Sequence, residues 1–366
     1  MIDAFEFHLK TVRDDAAELD GLPARQLPID RYVAASLMQK AIRRGEVEWA
    51  TDSAFTLLQI DSRYLWRRLI ITLFEDVGLH DTRLAWRVLA SRQHCLRLGI
   101  VAWPTVSLIV REMSVSPKSQ TGNHVLQLAT AEAREARSVD FLIDRPLAEA
   151  TRWATDVSRS IPERVHAIWA IFGLRLGGIT SPNQHPEGSS AAGWAAFDRI
   201  VLDGEIRALA RAGVQAGASI LAVSAALSAP NDSEIASGQS SDSDPMPPYS
   251  LFGGVPSWAF DMYTRAGKRA LTLASRRCAT IRAVLHQHNV PSAQHSRVLG
   301  SIHFELESAC LKDRIQRPQD LAFLSTIRAS AAAPWMDTSA ELDRAFLKDW
   351  GVFQSVRRWS YEEGDA

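Results

Sequence analysis

The stretch Tyr64–Asp81, Y-L-W-R-R-L-I-I-T-L-F-E-D-V-G-L-H-D, most limits what this chain can fold into. Leu65, Leu69, Leu73 and Val77 recur at helical spacing, and Trp66, Ile70 and Phe74 widen the stripe beyond one buried face. Such a helix needs cover on both sides, so it belongs inside a helical assembly. Gly78 stands where a helix-ending glycine belongs, and Asp81 can cap the helix that follows. Glu75 and Asp76 cut across this logic, because carboxylates in a last turn oppose the helix dipole. Either both acids are solvated, or they have cationic partners. Arg67, Arg68 or an arginine from another segment would serve.

The pattern around that stretch is helical too. Asp30 can cap Arg31–Arg44, and Gly45 ends it. Val47–Gln59, Asp81–Leu98, Trp103–Ser114 and Asn123–Arg137 read as further helices joined by short loops, with no strand-period alternation between them. Asp144–Ser158, Pro162–Leu176, Ala191–Ala212 and the small, apolar Ala212–Leu227 continue the series, interrupted by a loop at Gly177–Ser190. Pro230–Pro248 is polar, acidic and rich in Pro and Ser, which predicts a mobile linker. Phe260–Leu285 and Ser292–Asp313 are the clearest helices beyond it. The predicted fold class is all-α: an acidic segment at 1–29, a helical-hairpin domain at 30–137, a helical extension at 138–229, a linker at 230–249 and a second helical domain at 250–366.

Composition excludes several classes. The net charge of −1 leaves no global field for nucleic acid, so any contact needs a local patch. Cys95, Cys278 and Cys310 are odd in number and far apart, which argues for a reducing, cytoplasmic setting and against a disulfide framework. The start, M-I-D-A-F-E-F-H-L-K, offers no apolar leader core. No run approaches the roughly 18 uninterrupted apolar residues that spanning a membrane takes.

Three blocks resemble the C-terminal helical region of the replication-associated recombination protein A family. These are clamp-loader-like AAA+ ATPases related to the Werner-helicase-interacting proteins. The blocks are S-L-M-Q-K-A-I-R-R-G at Ser36–Gly45, R-R-L-I-I-T-L-F-E-D-V-G-L-H-D at Arg67–Asp81 and S-P-K-S-Q at Ser116–Gln120. They are similar to that family's blocks in order and spacing, and they cover roughly the first third of the chain. The resemblance implies a collar-like module that self-associates, so a homo-oligomer with a role in DNA replication or repair. It also makes Arg67, Arg68, Glu75, Asp76 and Gly78 a structural helix-to-turn signature, with Arg67 or Arg68 as the partner of the acids, and makes Lys118 a partner or DNA contact. The motor is absent from this sequence. The nearest Gly-Lys pair, Gly267-Lys268, has Met262 in place of the first phosphate-loop glycine and Arg269 in place of Ser or Thr. No cofactor or catalytic motif is predicted.

Outside the resemblance, the segment F-D-M-Y-T-R-A-G-K-R-A-L-T-L-A-S-R-R is the main candidate surface. Arg265, Arg269, Thr272 and Arg276 fall on one helix face, flanked by Lys268, Arg277 and Arg282. From Leu251 to Leu285 six cations stand against the single acid Asp261, a net of +5. Such a stripe can track phosphates, or can be a solvated face that pairs with the acidic linker or tail. His286, His288, His295 and His303, with Glu305 and Glu307 nearby, offer donors for a divalent ion without matching a known ligand spacing. Asp261, Tyr263, Thr264 and Arg265 mix acid-base groups within about a turn, which an ordinary helix N-terminus also explains. The sequence therefore predicts a non-catalytic DNA replication or repair accessory protein. Its competitors are a protein-protein adaptor that docks a separate ATPase or serves anti-phage defence, and a metal-dependent hydrolase.

Overall fold

Among the described residues there are eighteen α-helices and only 3% strand, so the fold is all-α. A computed structural model describes residues 2–19, 23–99, 101–134, 146–172, 189–230, 234–235, 239–308, 311–315, 318–332, 335 and 339–363. The first seven helices are α1 (Ile2–Leu19), α2 (Arg31–Arg43), α3 (Val47–Ile60), α4 (Ser62–Thr72), α5 (Thr82–Leu98), α6 (Trp103–Val115) and α7 (Thr121–Arg134). Next come α8 (Leu147–Thr155), α9 (Ile161–Phe172), α10 (Ser190–Ile200), α11 (Gly204–Gly213) and α12 (Ile220–Leu227). The last part holds β1 (Gln239–Ser243), β2 (Leu251–Phe252), β3 (Val255–Pro256), α13 (Arg265–Arg277), α14 (Ala279–Gln287), α15 (His295–His303), β4 (Lys312–Ile315), α16 (Pro318–Ala332), α17 (Ala340–Lys348) and α18 (Trp350–Glu362). No described helix is long and apolar enough to cross a membrane.

Caps set many of these boundaries. Asp30 accepts hydrogen bonds from the Tyr32 and Val33 amides, Asp61 from Tyr64, and Asp81 from Leu84. Gly78 has a φ of 81° and returns its amide to the Leu73 carbonyl at 2.7 Å, as its place in the sequence predicts. The organising helix is covered on both sides: Trp66, Leu69, Leu73 and Phe74 are all fully buried. Its last turn is not α-helical, however. Leu73–Val77 is a π turn, which fits one more residue into the turn than an α-helix does. Val214–Ala218 and Phe304–Ser308 are two further π turns.

Small residues let the extension close on this helix. A Cβ at Gly213 would lie 2.4 Å from the Phe74 ring, and one at Gly122 would lie 2.7 Å from the Ala225 backbone. The Ala212–Leu227 segment is therefore a close-packing element, broken at Gly217 and Ser219, where φ is positive. The apolar interior forms two clusters. One gathers buried residues from Val12 to Phe260, and the other gathers α13, α14, α15, α17 and α18 between Ala270 and Val356.

Several boundaries differ from the predicted ones. The helix predicted over Ala191–Ala212 is two helices, interrupted at 201–203. The one predicted over Phe260–Leu285 starts only at Arg265, where the Thr264 side chain caps the Gly267 amide, and breaks again at Cys278. The one predicted over Ser292–Asp313 becomes a 3-10 turn, α15, a π turn and β4. Within the predicted mobile linker, Gln239–Ser243 forms β1, which pairs antiparallel with β4. Main-chain hydrogen bonds supply that pairing, so the segment needed no apolar alternation to become a strand. The predicted loop at Gly177–Ser190 lies outside the described residues up to 188, with Ser190 already starting α10, and so do the ends of the helices predicted to reach Arg137 and to start at Asp144.

Candidate nucleic-acid interface

A buried polar seam runs between the two apolar clusters and holds the basic helix in place. It begins on α2, where Ser36, Gln39, Lys40 and Arg43 recur at helical spacing on a face that points inward. Lys40 is 2% exposed, and its ammonium sits 2.8 Å from Asp261. The same nitrogen donates to the Trp258 carbonyl at 2.6 Å and to Ser36 Oγ at 2.9 Å. Burial pulls the Lys40 ammonium down to about 8, against the opposing attraction of Asp261.

Arg43 spans two π turns. Its Nε donates to Asp76 Oδ1 at 2.7 Å in the first, and Nη1 donates to the Ser308 carbonyl in the second. Asp76 also accepts from Gln39 Nε2 and Gln120 Nε2, each at 2.8 Å. Glu75 lies 3.9 Å from the Arg43 guanidinium. The close cationic partner of these acids is thus Arg43, an arginine from another segment, while Arg68 adds a weaker attraction on Glu75 and Arg67 plays no part. Arg67 is exposed, and Arg68 donates to the Gln39 side chain, which relays to Asp76. Arg68 stands about two helical turns before the acids, so it acts on Glu75 at longer range and on Asp76 through Gln39.

Further along, Arg44 donates to the Glu307 carbonyl and lies over the Trp258 ring. Glu307 is fully buried, and Arg357 grips it with two bonds at 2.7 and 3.0 Å. Burial works to raise the Glu307 carboxyl, but Arg357 and His303 hold it well below the usual carboxylate range. Burial lowers His303, whose ring lies 2.9 Å from Glu307. His303 belongs to this seam and is no free metal donor.

Lys118 also departs from its predicted place. It is 0% exposed, and its ammonium donates to the Ser114 and Ser116 carbonyls. Its own amide donates to Asp313, and its carbonyl accepts from Ile315, so the S-P-K-S loop is stitched to β4. The Ser114 and Ser116 carbonyls draw the ammonium inward, and its charge cannot reach a phosphate. All three blocks that carry the family resemblance meet in this seam. Its charged groups Lys40, Arg43, Asp76, Asp261, Glu307 and Arg357 pair with one another, which makes the seam a joint between the parts of the chain. The sequence signal for it is the polar stripe S-x-x-Q-K-x-x-R-R inside an otherwise apolar helix.

On the outer side of this joint, Arg265, Lys268, Arg269, Thr272, Arg276, Arg277 and Arg282 are all exposed. None of the six cations makes an ion pair with a described acid. The one acid of the segment, Asp261, is sequestered by Lys40, so no acid of the segment offsets these cations, and Arg269 donates to the Glu363 carbonyl at the acidic tail. Arg269 and Arg277 lie over Trp359 of α18, 4.5 and 5.1 Å from the ring centre. Arg276 and Arg282 border a cleft of about 310 Å³ with Ser275, Ser292, His286 and His295. Gly267 lets α13 sit this close to the joint, since a Cβ there would lie 1.8 Å from the Asp261 carbonyl oxygen.

The remaining candidates are dispersed. His288 pairs with Glu341 at 2.6 Å and His295 hydrogen-bonds the Val290 carbonyl at 2.8 Å. Among the described residues no three His, Cys, Asp or Glu side chains converge as metal ligands. Asp261 and Thr264 shape the start of α13: the Asp261 side chain accepts from the Tyr263 amide and the Thr264 hydroxyl caps Gly267. Cys95 and Cys278 are buried, which pushes their thiols up to about 11 and 12, while Cys310 lies outside the described residues.

The chain matches no family model, no curated protein and no solved structure.

Proposed function

We propose that this chain is a non-catalytic accessory factor of DNA replication or repair that contacts nucleic-acid phosphates through α13 and self-associates through the helical region at 30–137. One observation carries the reading: six cations on α13 and α14 face solvent without a described acid to pair with, while the only acid among them is buried against Lys40. Arg265 to Arg276 covers about 17 Å of helix axis, enough to follow several phosphates along a strand. The resemblance adds the replication or repair setting, the homo-oligomer and a separate ATPase as a further partner.

The test is a titration of labelled DNA at several salt concentrations against the parent and the Arg265→Ala/Arg269→Ala/Arg276→Ala variant. The parent should bind with an affinity that falls steeply with salt. The variant should bind more weakly and with a shallower slope, by about 0.9 for each lost phosphate contact. Equal binding by both would sink the reading. No salt-dependent binding at all would favour an adaptor that docks an ATPase without touching DNA. Native mass measurement with and without DNA tests self-association in the same samples.

A further inference from the structure

A second cleft lies beside the basic face, between residues 248–252 and α18, with a volume of about 480 Å³. Tyr249, Phe252, Trp350 and Trp359 line it, together with the charged Arg358 and Glu362. Trp350 is fixed there by its indole N–H, which donates to the Pro248 carbonyl at 2.7 Å. Tyr249 is 44% exposed at the rim. Gln354 also lines the cleft, is 9% exposed, and has neither its amide nitrogen nor its amide oxygen bonded to a group of the described residues. A buried amide without partners is costly and rare, so its presence calls for something that supplies both a donor and an acceptor. The edge of a nucleobase presents that pair side by side, and aromatic rings hold its faces. The cleft is joined to the phosphate-contacting face by one side chain: Trp359 lines the cleft while Arg269 and Arg277 stand over its ring.

We infer that this cleft receives an unpaired base of a single-stranded nucleic acid, stacked at Tyr249 and read by the Gln354 amide, while α13 holds the neighbouring phosphates. The inference rests on the proposed phosphate contact and adds the strand type to it. Duplex DNA cannot use the cleft, because its bases are stacked and paired inside the helix.

The test compares three labelled probes on the full chain: a dA oligonucleotide of 20 nucleotides, an abasic oligonucleotide of the same length, and a 20-base-pair duplex. The dA strand should bind roughly tenfold or more tighter than the abasic strand, the gain expected from one stacked base. Tyr249→Ala and the near-isosteric Gln354→Met should remove most of that difference and leave abasic and duplex binding unchanged. Circular dichroism melts of both variants check that the fold is intact, and Tyr249 at the exposed rim is the safer of the two. If dA and abasic strands bind alike and both variants match the parent, the base cleft is refuted while salt-dependent binding still supports the phosphate face. If no probe binds at low salt, both readings fall. Full displacement of the dA strand by equimolar free dAMP would overturn the strand assignment, since it would make the cleft a site for free nucleotides.

Discussion

Lys40 of α2 and Asp261 before α13 form an ion pair at 2.8 Å with both side chains only 3% exposed. The pair joins the most N-terminal of the resemblance blocks to the start of the basic helix. Removing one partner leaves the other charge buried without its counter-ion. Lys40→Met or Asp261→Asn should therefore each destabilise the protein by about 3–5 kcal/mol. The combined Lys40→Met/Asp261→Asn variant should lose clearly less than the sum of the two single losses. Denaturant melts of the four proteins decide the matter, and strict additivity would show that the two residues are not coupled.

Arg43 ties two π turns, and only a forked, planar cation can serve both at once. Arg43→Met should cost about 3–5 kcal/mol by leaving Asp76 buried with its amide donors alone. Arg43→Lys should fall between the parent and Arg43→Met, because the charge survives and the second bond does not. Thermal melts that place Arg43→Lys level with the parent would show that the link to Ser308 is dispensable.

Acid should weaken the fold through two buried imidazoles. Burial lowers His80 and His166 to about 4 from the ordinary 6.5. The unfolded chain therefore binds more protons than the folded chain between those values. Stability is full above about 6.5 and is lost as pH falls toward 4. Each histidine contributes on the order of 3 kcal/mol to that loss. His166→Leu should flatten the pH dependence of the melting temperature in this window. An unchanged slope would mean that His166 is already protonated in the folded protein.

Gly267 marks the closest approach of α13 to the joint. With 1.8 Å between a Cβ and the Asp261 carbonyl oxygen, Gly267→Ala cannot be absorbed by a side-chain rotation. A loss of about 3 kcal/mol is expected. Gly351→Ala on α18 meets nothing within 4 Å and should be neutral or slightly stabilising. If the two alanine variants melt together, the backbone contact at Gly267 is looser than the structure places it.

Local features were legible in the sequence because their physics is local. Asp30, Asp81 and Gly78 act as the caps that their positions announce, and the apolar stripe of Tyr64–Asp81 is covered all round. The exposure of Arg265, Lys268, Arg269, Arg276, Arg277 and Arg282 also follows from helical spacing alone. What stayed hidden depends on contacts distant in sequence. Nothing near Lys118 announces that Asp313 and Ile315 will pair with its backbone, and nothing near Asp76 names Arg43. The strand Gln239–Ser243 is polar throughout, so its pairing with β4 left no side-chain pattern to read. Gln354 gives no local sign either, because an unbonded amide becomes visible only once its surroundings are assembled.

The π turn at Leu73–Val77 makes chain length itself a functional variable here. Such a turn accommodates one residue beyond the α-helical count, and a helix advances about 100° per residue. A deletion inside the turn would be absorbed as it relaxes into ordinary helix, whereas deleting one residue of α4 ahead of it would swing Asp76 about 100° around the axis. The composition would barely change, yet the carboxylate would face away from Arg43, Gln39 and Gln120 together. Variation in α4 is thus constrained more tightly in residue number than in residue type.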